Sequence, residues 1–511
     1  MCAPKMIEND DDPDLVELEI GAHGYAPDDG DWGRLGIEIG RNTHLKELCY
    51  SDRGVSKEDF EKLFRGIACN KSIQKLSFTN CRFFGGAIFS ILVPFFKNSN
   101  FECLEIDECA LGREEINSLS SAMSAVDSSR MKLFLREVYI KRGAFDELAA
   151  LLQNPKSKLA LLDLGSSLGN EEAAIVATGL SRNSTLRELN LSENSDISEE
   201  GWRAIFTALQ SPSCRLEKLS LYDNDSINDT AALSLSQALT INIHITSLNM
   251  SYCRGITVAG WRGLFECLQS PNCVLGMLYL SRTGLNDETV GFLANALVNN
   301  ARLRELNLYG NPDVTATGWE AFFAVLQSPH SALEKLDLRI NAINDETVVS
   351  LANSLVNNSK LKELLIECSN NTASGWAAFP RVLCNASSIM DTYDSNHTLQ
   401  RLSEGLERLL PEDVRSMLQL NRANTPSQAA RLKIIRTHFT EGFVAQPFID
   451  MELNVLPNAI AWMGRDDGAG EVNEHFYGFL RNMPSLFDVE SHKTPNPRAS
   501  LSDKGWSDFV L

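Results

Sequence analysis

Residue types that perform catalysis are present in this chain, but not at the spacings that let them work together. None of the eight histidines stands in His-Glu-x-x-His, the helical pair that holds zinc, or beside a Gly-x-Ser-x-Gly elbow, where it could activate a nucleophilic serine. A Gly-x-x-x-x-Gly-Lys-Ser/Thr loop, which would cradle phosphates, is missing too. The twelve cysteines are scattered singly, without Cys-x-x-Cys pairs or a Cys/His cluster, which is the usage of reduced thiols inside a cell. No catalytic residue, cofactor or metal is therefore expected. The chemistry left is that of recognition: Tyr139, Tyr222, Tyr279 and Tyr309, with Arg339, Asp337, Asn307 and Asn249, recur at equivalent places in a periodic pattern. Tyrosine and arginine bury large areas while keeping a polar tip, so they concentrate at protein interfaces. Tyrosine also simply suits strands, and that alternative stays open at this point.

The pattern that places these residues is a repeat, and a repeat decides the fold before any local reading does. Leu303-Arg-Glu-Leu306-Asn-Leu308 recurs as Leu186/Leu189/Leu191, Leu216/Leu219/Leu221, Leu333/Leu336/Leu338 and Leu361/Leu364/Ile366. Weaker copies begin at Leu15, Leu45, Ile73, Phe101, Leu135, Leu159, Ile245 and Leu275. Most starts lie 27 to 30 residues apart; Leu135 comes 34 after its predecessor and 24 before its successor, which the reading ascribes to an insertion near Ser118 to Arg130. Counting the first leucine as position 0, positions 0, 3 and 5 of a strand point inward and the residues between them point out. An amphipathic stretch such as Asp287 to Val298 follows as a helix. Position 8 is Asn194, Asn224, Asn311 or Asn341, elsewhere Cys81, Cys109 or Cys253, all side chains able to ladder along a buried turn. The units alternate. Longer ones carry Gly201-Trp202, Gly260-Trp261, Gly318-Trp319 and Gly375-Trp376, and shorter ones carry Asn-Asp-Glu-Thr from Asn286 and Asn344. The first three tryptophans fall with Ile205, Leu264 and Phe322 at helical spacing, as core residues do.

This layout is the leucine-rich repeat, and its long and short alternation resembles the ribonuclease-inhibitor type of leucine-rich repeat protein over about Leu15 to Ile389. The resemblance implies an α/β fold: a leucine-rich repeat solenoid, or horseshoe, with an inner parallel β-sheet, outer helices and a protein ligand on the concave face. It does not imply which protein. Strands about 28 residues apart with one helix between them lead to the same parallel sheet. The position-4 row then reads Cys49, Ser77, Glu105, Tyr139, Asp163, Asn190, Ser220, Asn249, Tyr279, Asn307, Asp337 and Leu365, and the position-6 row contains Tyr222, Tyr309 and Arg339. Opposite charges at positions 1 and 2, such as Arg187-Glu188 beside Glu217-Lys218, are expected to pair between neighbouring strands.

Four segments follow: an acidic disordered N-terminus at 1–14, the repeat domain with its caps at 15–424, a small helical C-terminal module at 425–490 and a disordered tail at 491–511. The repeat fades after Ile389, and Leu399 to Leu410 reads as continuing at helical spacing. With 47 basic and 67 acidic residues the net charge is −20, so nucleic acid and anionic membrane are not expected partners. No eighteen-residue apolar run and no secretory leader is seen, which points to the cytoplasm with the nucleus also open. The expected function is a non-enzymatic scaffold that binds a protein partner. The alternative is a GTPase-activating protein, because the Ran GTPase activators share this repeat type; the partner would then be a small GTPase. Their Phe-Thr-Gly-Arg motif has no counterpart here, the nearest text being Cys81 to Gly86, and their acidic C-terminal run is also missing. The last residues, Phe509-Val510-Leu511, have the apolar pattern of a ligand for a strand-addition domain.

Overall fold

In the computed structural model the described residues are 16–21, 26–27, 30–51, 55–81, 87–98, 100–123, 131–141, 143–366, 373–403 and 410–438. The acidic segment 1–14, the text at 82–86, residues 439–490 of the expected helical module and the tail with Phe509 to Leu511 lie outside them. The chain divides into two compact units, Met1–Val314 and Thr315–Leu511.

The first unit holds strands β1 (Glu17–Gly21), β2 (Glu47–Ser51), β3 (Lys75–Thr79), β4 (Cys103–Asp107), β5 (Ala110–Leu111), β6 (Met131–Arg136), β7 (Tyr139–Ile140), β8 (Leu159–Asp163), β9 (Glu188–Asn190), β10 (Lys218–Ser220), β11 (Ser247–Asn249), β12 (Met277–Tyr279) and β13 (Glu305–Asn307). Strands β5 and β7 pair with each other, and the rest form one parallel sheet in chain order. Equivalent residues lie opposite one another, Leu219 between Leu189 and Leu248. This is the leucine-rich repeat solenoid expected from the sequence. Its inward leucines are buried, as are Trp202 and Trp261, each stacked on the phenylalanine one turn later, Phe206 at 5.8 Å and Phe265 at 5.5 Å. In the early repeats Tyr50, Phe60, Phe64 and Phe78 fill the same layer as one aromatic cluster.

At the end of β3, β4, β6 and β8 to β13 the backbone turns through one left-handed residue at position 7. Asn80, Glu108, Glu137, Ser166, Glu193, Asp223, Tyr252 and Arg282 have φ between 48° and 64°, and Gly310 has 71°. A side chain in that region costs about 1–2 kcal/mol. The next residue offsets the cost. Asn224, fully buried at position 8, accepts from the Asn194 N–H at 2.7 Å through Oδ1, while its Nδ2 donates to the carbonyls of Leu191 and Leu221, both at 2.9 Å. Asn194 and Asn311 repeat the arrangement. Cys253 donates its thiol to Leu221 O at 3.0 Å, and burial pushes that thiol up to about 12, so it keeps its proton. The expected Asn and Cys ladder is therefore present. A second ladder, which the sequence reading missed, lies three residues before the strand phrase. There Asn70 donates to Ile39 O and Asn42 O at 2.7 Å and accepts from the Ile73 N–H, and Asn183, Asn242 and Asn300 donate to Leu152 O, Leu209 O and Leu268 O at the end of the previous repeat's helical segment.

The alternation of units also has a physical cause. Asn-Asp-Glu-Thr is a helix start: Asn286 accepts from the Thr289 N–H and Thr289 Oγ1 accepts from the Asn286 N–H, a capping box. In the same place Asp229 accepts from the N–H and hydroxyl of Thr257, the cap of the following helix. Gly260 must then be a glycine, because a Cβ there would meet Asp229 Oδ1 at 2.3 Å.

One repeat departs from the expected register. Strand β6 puts Phe134, not Tyr139, between Glu105 and Asp163, 29 residues from each, so the spacing is regular and no compensating insertion is needed. Met131 fills the first inward position with one residue fewer before Leu133, and the sheet absorbs the difference in a bulge between Met131 and Lys132.

The second unit carries β14 (Lys335–Asp337) and β15 (Glu363–Leu365), paired in parallel. Trp319 is buried against Phe323. Arg401 bridges to Glu363 in parallel and Leu399 and Leu402 are buried, so this segment begins another strand instead of the expected helix. Of the helical module, Pro426–His438 is described, and it buries Ala429, Ala430, Ile434 and Ile435. It also buries Lys433, whose Nζ donates to Leu383 O at 2.6 Å and Asn396 O at 3.0 Å. Burial pushes Lys433 down to about 7 and nearby His397 down to about 4. A neutral amine has two donors, which matches the two carbonyls.

Two predictions follow from this packing. Replacing Asn224 with alanine strands the Asn194 N–H and two carbonyls; the expected loss is about 3 kcal/mol by urea denaturation, with Asn224→Cys losing less than half as much. For Lys433 and His397 the unfolded chain binds the proton more tightly, so stability rises with pH, from about 4 to 6.5 for His397 and from about 7 to 10.5 for Lys433. Relative to wild type, Lys433→Met is expected to lose an advantage on the order of 3 kcal/mol between pH 7 and 10. A constant difference across that range would show that the amine is not held neutral.

Candidate protein-binding face

The inward leucines turn the residues between them to the other face of the sheet, which the helices leave uncovered. Much of that face is occupied by contacts within the protein. Arg187 pairs with Glu217 at 3.4 Å, Lys218 with Glu188 at 2.8 Å and, in the second unit, Lys362 with Glu334 at 2.7 Å, the expected ladders between strands. The asparagines and aspartates of position 4 have a local task as well. Asp163, Asn249, Asn307 and Asp337 each accept, through a side-chain oxygen, from the backbone N–H two residues on, at 2.9 to 3.1 Å. That bond ends the strand. Arg339 turns its guanidinium onto Asp337, with Nη2 to Oδ2 at 2.7 Å, so these two site candidates form an internal pair.

An open stretch lies in the first unit. A groove of about 360 Å³ runs over β6 to β12, lined by Phe134, Leu161, Asn190, Ser220, Asn249 and Tyr279 among others. Asp163 closes one end. It is almost fully buried and accepts from Arg136 Nε at 2.7 Å, while the guanidinium lies 4.8 Å from the Phe134 ring. At the other end burial pushes the Tyr279 phenol up to about 12, and its hydroxyl points to Met277 Sδ at 3.7 Å.

Along the C-terminal edge of the same strands runs a rim of rings and cations. Tyr222 packs on Tyr252 with centroids 5.1 Å apart. Arg254 and Arg282 lie over the Tyr252 ring at 5.5 and 5.7 Å, and Arg282 lies 5.6 Å from the Tyr309 ring as well. The three tyrosines are half-buried and both arginines exposed.

Of the eight residues selected from sequence, Asn249 and Tyr279 line the groove, Tyr222 and Tyr309 belong to the rim, and Asn307 stands between them accepting from Ser281 Oγ at 2.8 Å. Asp337 and Arg339 belong to the second unit. Tyr139 is not in the row. It sits in β7 opposite Ala110 of β5, 70% exposed, beside a separate cavity of about 670 Å³ that Glu137, Glu172, Glu193 and Asp196 also line. The reading missed Phe134, Arg136, Tyr252, Arg254 and Arg282. Counting one position further along each repeat would have put Tyr252 and Arg282 beside Tyr222 and Tyr309. For Asp163, replacement by alanine strands the Gly165 N–H and frees Arg136; the expected cost is about 2 kcal/mol in thermal or urea unfolding, against under about 1 kcal/mol for Asp163→Asn, which still accepts.

Comparisons with known proteins agree with this architecture. Residues 182–206 and 242–264 match the family described as Leucine Rich repeat. The chain is 27% identical to the ribonuclease inhibitor of Mus musculus over 359 residues, 64% of this chain and 77% of that protein. Against the ribonuclease inhibitor of Sus scrofa it is 27% identical over 325 residues, 58% and 70% of the two chains. It is also 25% identical to NACHT, LRR and PYD domains-containing protein 5 of Mus musculus over 342 residues, 65% of this chain but 26% of that protein.

Proposed function

Because the chain is a leucine-rich repeat protein of the ribonuclease-inhibitor-like type, we propose that it is a non-enzymatic scaffold that holds a protein partner against the exposed face of its sheet. The observation that carries this reading is the juxtaposition, on consecutive strands of the first unit, of the groove over β6 to β12 with the Tyr222, Tyr252, Arg282 and Tyr309 rim. A shallow groove bounded by half-buried rings suits a protein surface, because rings held in place lose little freedom when a partner covers them. The relatives are named for ribonucleases as targets. Here the face mixes paired charges, small polar groups and tyrosines, so the reading extends to a protein partner in general.

The test is quantitative affinity capture from the same cells with three forms of the full chain: wild type, the Tyr222/Tyr279/Tyr309→Ala variant and an Arg203→Ala control on the helix side. Partners held through the sheet face are expected to drop at least about tenfold in the triple variant, since each ring contributes on the order of 1 kcal/mol or more, and to stay constant in the control. Retention of every partner by the triple variant would remove the reading. A small GTPase whose hydrolysis accelerates on adding the protein would replace the scaffold by an activator.

A further inference from the structure

We propose that the Tyr252, Arg282 and Tyr309 end of the rim receives a carboxylate-rich segment of the protein partner, held by Arg254 and Arg282. The inference rests on the sheet-face reading and names the chemistry of what binds there. In a chain with net charge −20, cations on the sheet are mostly committed. Lys75, Arg136, Arg187 and Lys218 each have a carboxylate oxygen within 3.4 Å. Arg254 and Arg282 differ from them. Among the described residues neither guanidinium makes an ion pair or a side-chain hydrogen bond, and both lie instead on tyrosine rings.

That arrangement prepares them for an anion. A guanidinium beside aromatic rings and without a carboxylate partner keeps its N–H groups available, and their fork matches the two oxygens of a carboxylate. Arg282 is also seated from below. Its stem lies across Gly310, where a Cβ would come within 2.7 Å of Arg282 Cγ, so the bare glycine is what makes room for it. The left-handed backbone at Tyr252 and Arg282 brings both side chains out at the same level of neighbouring repeats. An arginine already fixed by its neighbours gives up little conformational freedom on binding.

Charge also limits the size of the segment. Asp225 accepts from the Arg254 backbone N–H at 2.8 Å, and around Tyr222, whose phenol is held above its ordinary range first by burial, Asp223 and Glu193 add negative charge to the rim. Carboxylates are welcome only between Tyr252 and Tyr309. Those side chains belong to three successive repeats, a span of roughly 10 Å at the spacing of neighbouring strands. The matching segment thus places its acids close together, as two or three neighbouring residues do.

The full-length protein can be titrated into a short fluorescein-labelled peptide of alternating glutamate and glycine, and into its glutamine counterpart. Saturable binding of the glutamate peptide is expected, weakened about tenfold or more by the glutamine exchange and by the Arg254→Gln/Arg282→Gln double variant. The double variant should unfold at the wild-type temperature, because these side chains hold no other group in place. Tyr252→Ala keeps both cations but removes their support, and should weaken binding about threefold. Equal binding of the two peptides, equal binding by wild type and double variant, or no binding at all would overturn the proposal. The capture experiment separates the two readings: partners lost from the triple tyrosine variant but kept by the double arginine variant leave the sheet-face reading standing and end this one.

Discussion

The structure depends on how each repeat ends its strand. The chain has to leave the sheet at once, and it does so through a single left-handed residue, which turns backbone groups toward a buried corner where water cannot reach them. The position-8 side chain answers both halves of the difficulty. An asparagine there donates to carbonyls of its own and the previous repeat and accepts an N–H of that same previous repeat, as Asn224 does. Because the bonds run from one repeat to the next, they fix the register of neighbouring strands, and register aligns the outward residues into rows. Where the ladder lacks a polar side chain, at Val138, the chain compensates locally. Tyr139 and Lys141 donate backbone N–H groups to Cys109 O and Leu111 O, and the short pair β5 and β7 replaces the missing side-chain bonds.

The same economy separates two kinds of polar residue on the sheet face. Position-4 asparagines and aspartates look like ligand contacts when seen as a row, but their oxygens are engaged by the backbone two residues on. The charges at positions 1 and 2 are engaged by one another. The groups that the repeat itself does not need, among them those proposed to meet a partner, collect where the left-handed residue lifts a side chain away from the sheet. Tyr252 and Arg282 occupy that position, while Glu193 and Asp223 hold it in the two preceding repeats. A position imposed by the backbone is thus reused to display side chains of differing charge.

The periodic part of this organisation was legible in the sequence. Leucine spacing, the Asn and Cys ladder, the buried tryptophans and the charge pairs all recur, and a recurring pattern survives an occasional misreading. Tyr139 was misplaced because Leu135, Val138 and Ile140 copy the spacing of the strand phrase, whereas the true strand sets Met131, Leu133 and Leu135 inward with a bulge. Arg282 and Tyr252 escaped notice because a left-handed position suggests glycine or asparagine, and their partners come from other repeats. Asn307, Asn249 and Asp337 do stand at position 4 of their strands, but the local bonds of their side chains could not be seen from residue type.

The end of the solenoid shows that a cap must supply donors as well as apolar cover. Along the array, a carbonyl at the end of a helical segment is met by an asparagine of the next repeat: Leu209 by Asn242, Leu268 by Asn300, Leu326 by Asn358. Asn396 is the last of this series, donating to Leu355 O and Asn358 O. Beyond it the equivalent carbonyls, Leu383 O and Asn396 O, need donors from some other source. They come from two helices that belong to no repeat. Lys433 donates to both carbonyls, and Asn421 donates to Asn396 O and to Leu399 O. A lysine is an unusual residue to bury, and here burial lowers its affinity for a proton until the neutral amine fits. A fully apolar helix could cover the last leucines, but it would leave these carbonyls bare. The ladder that orders the repeats therefore also dictates the chemistry of what can close them.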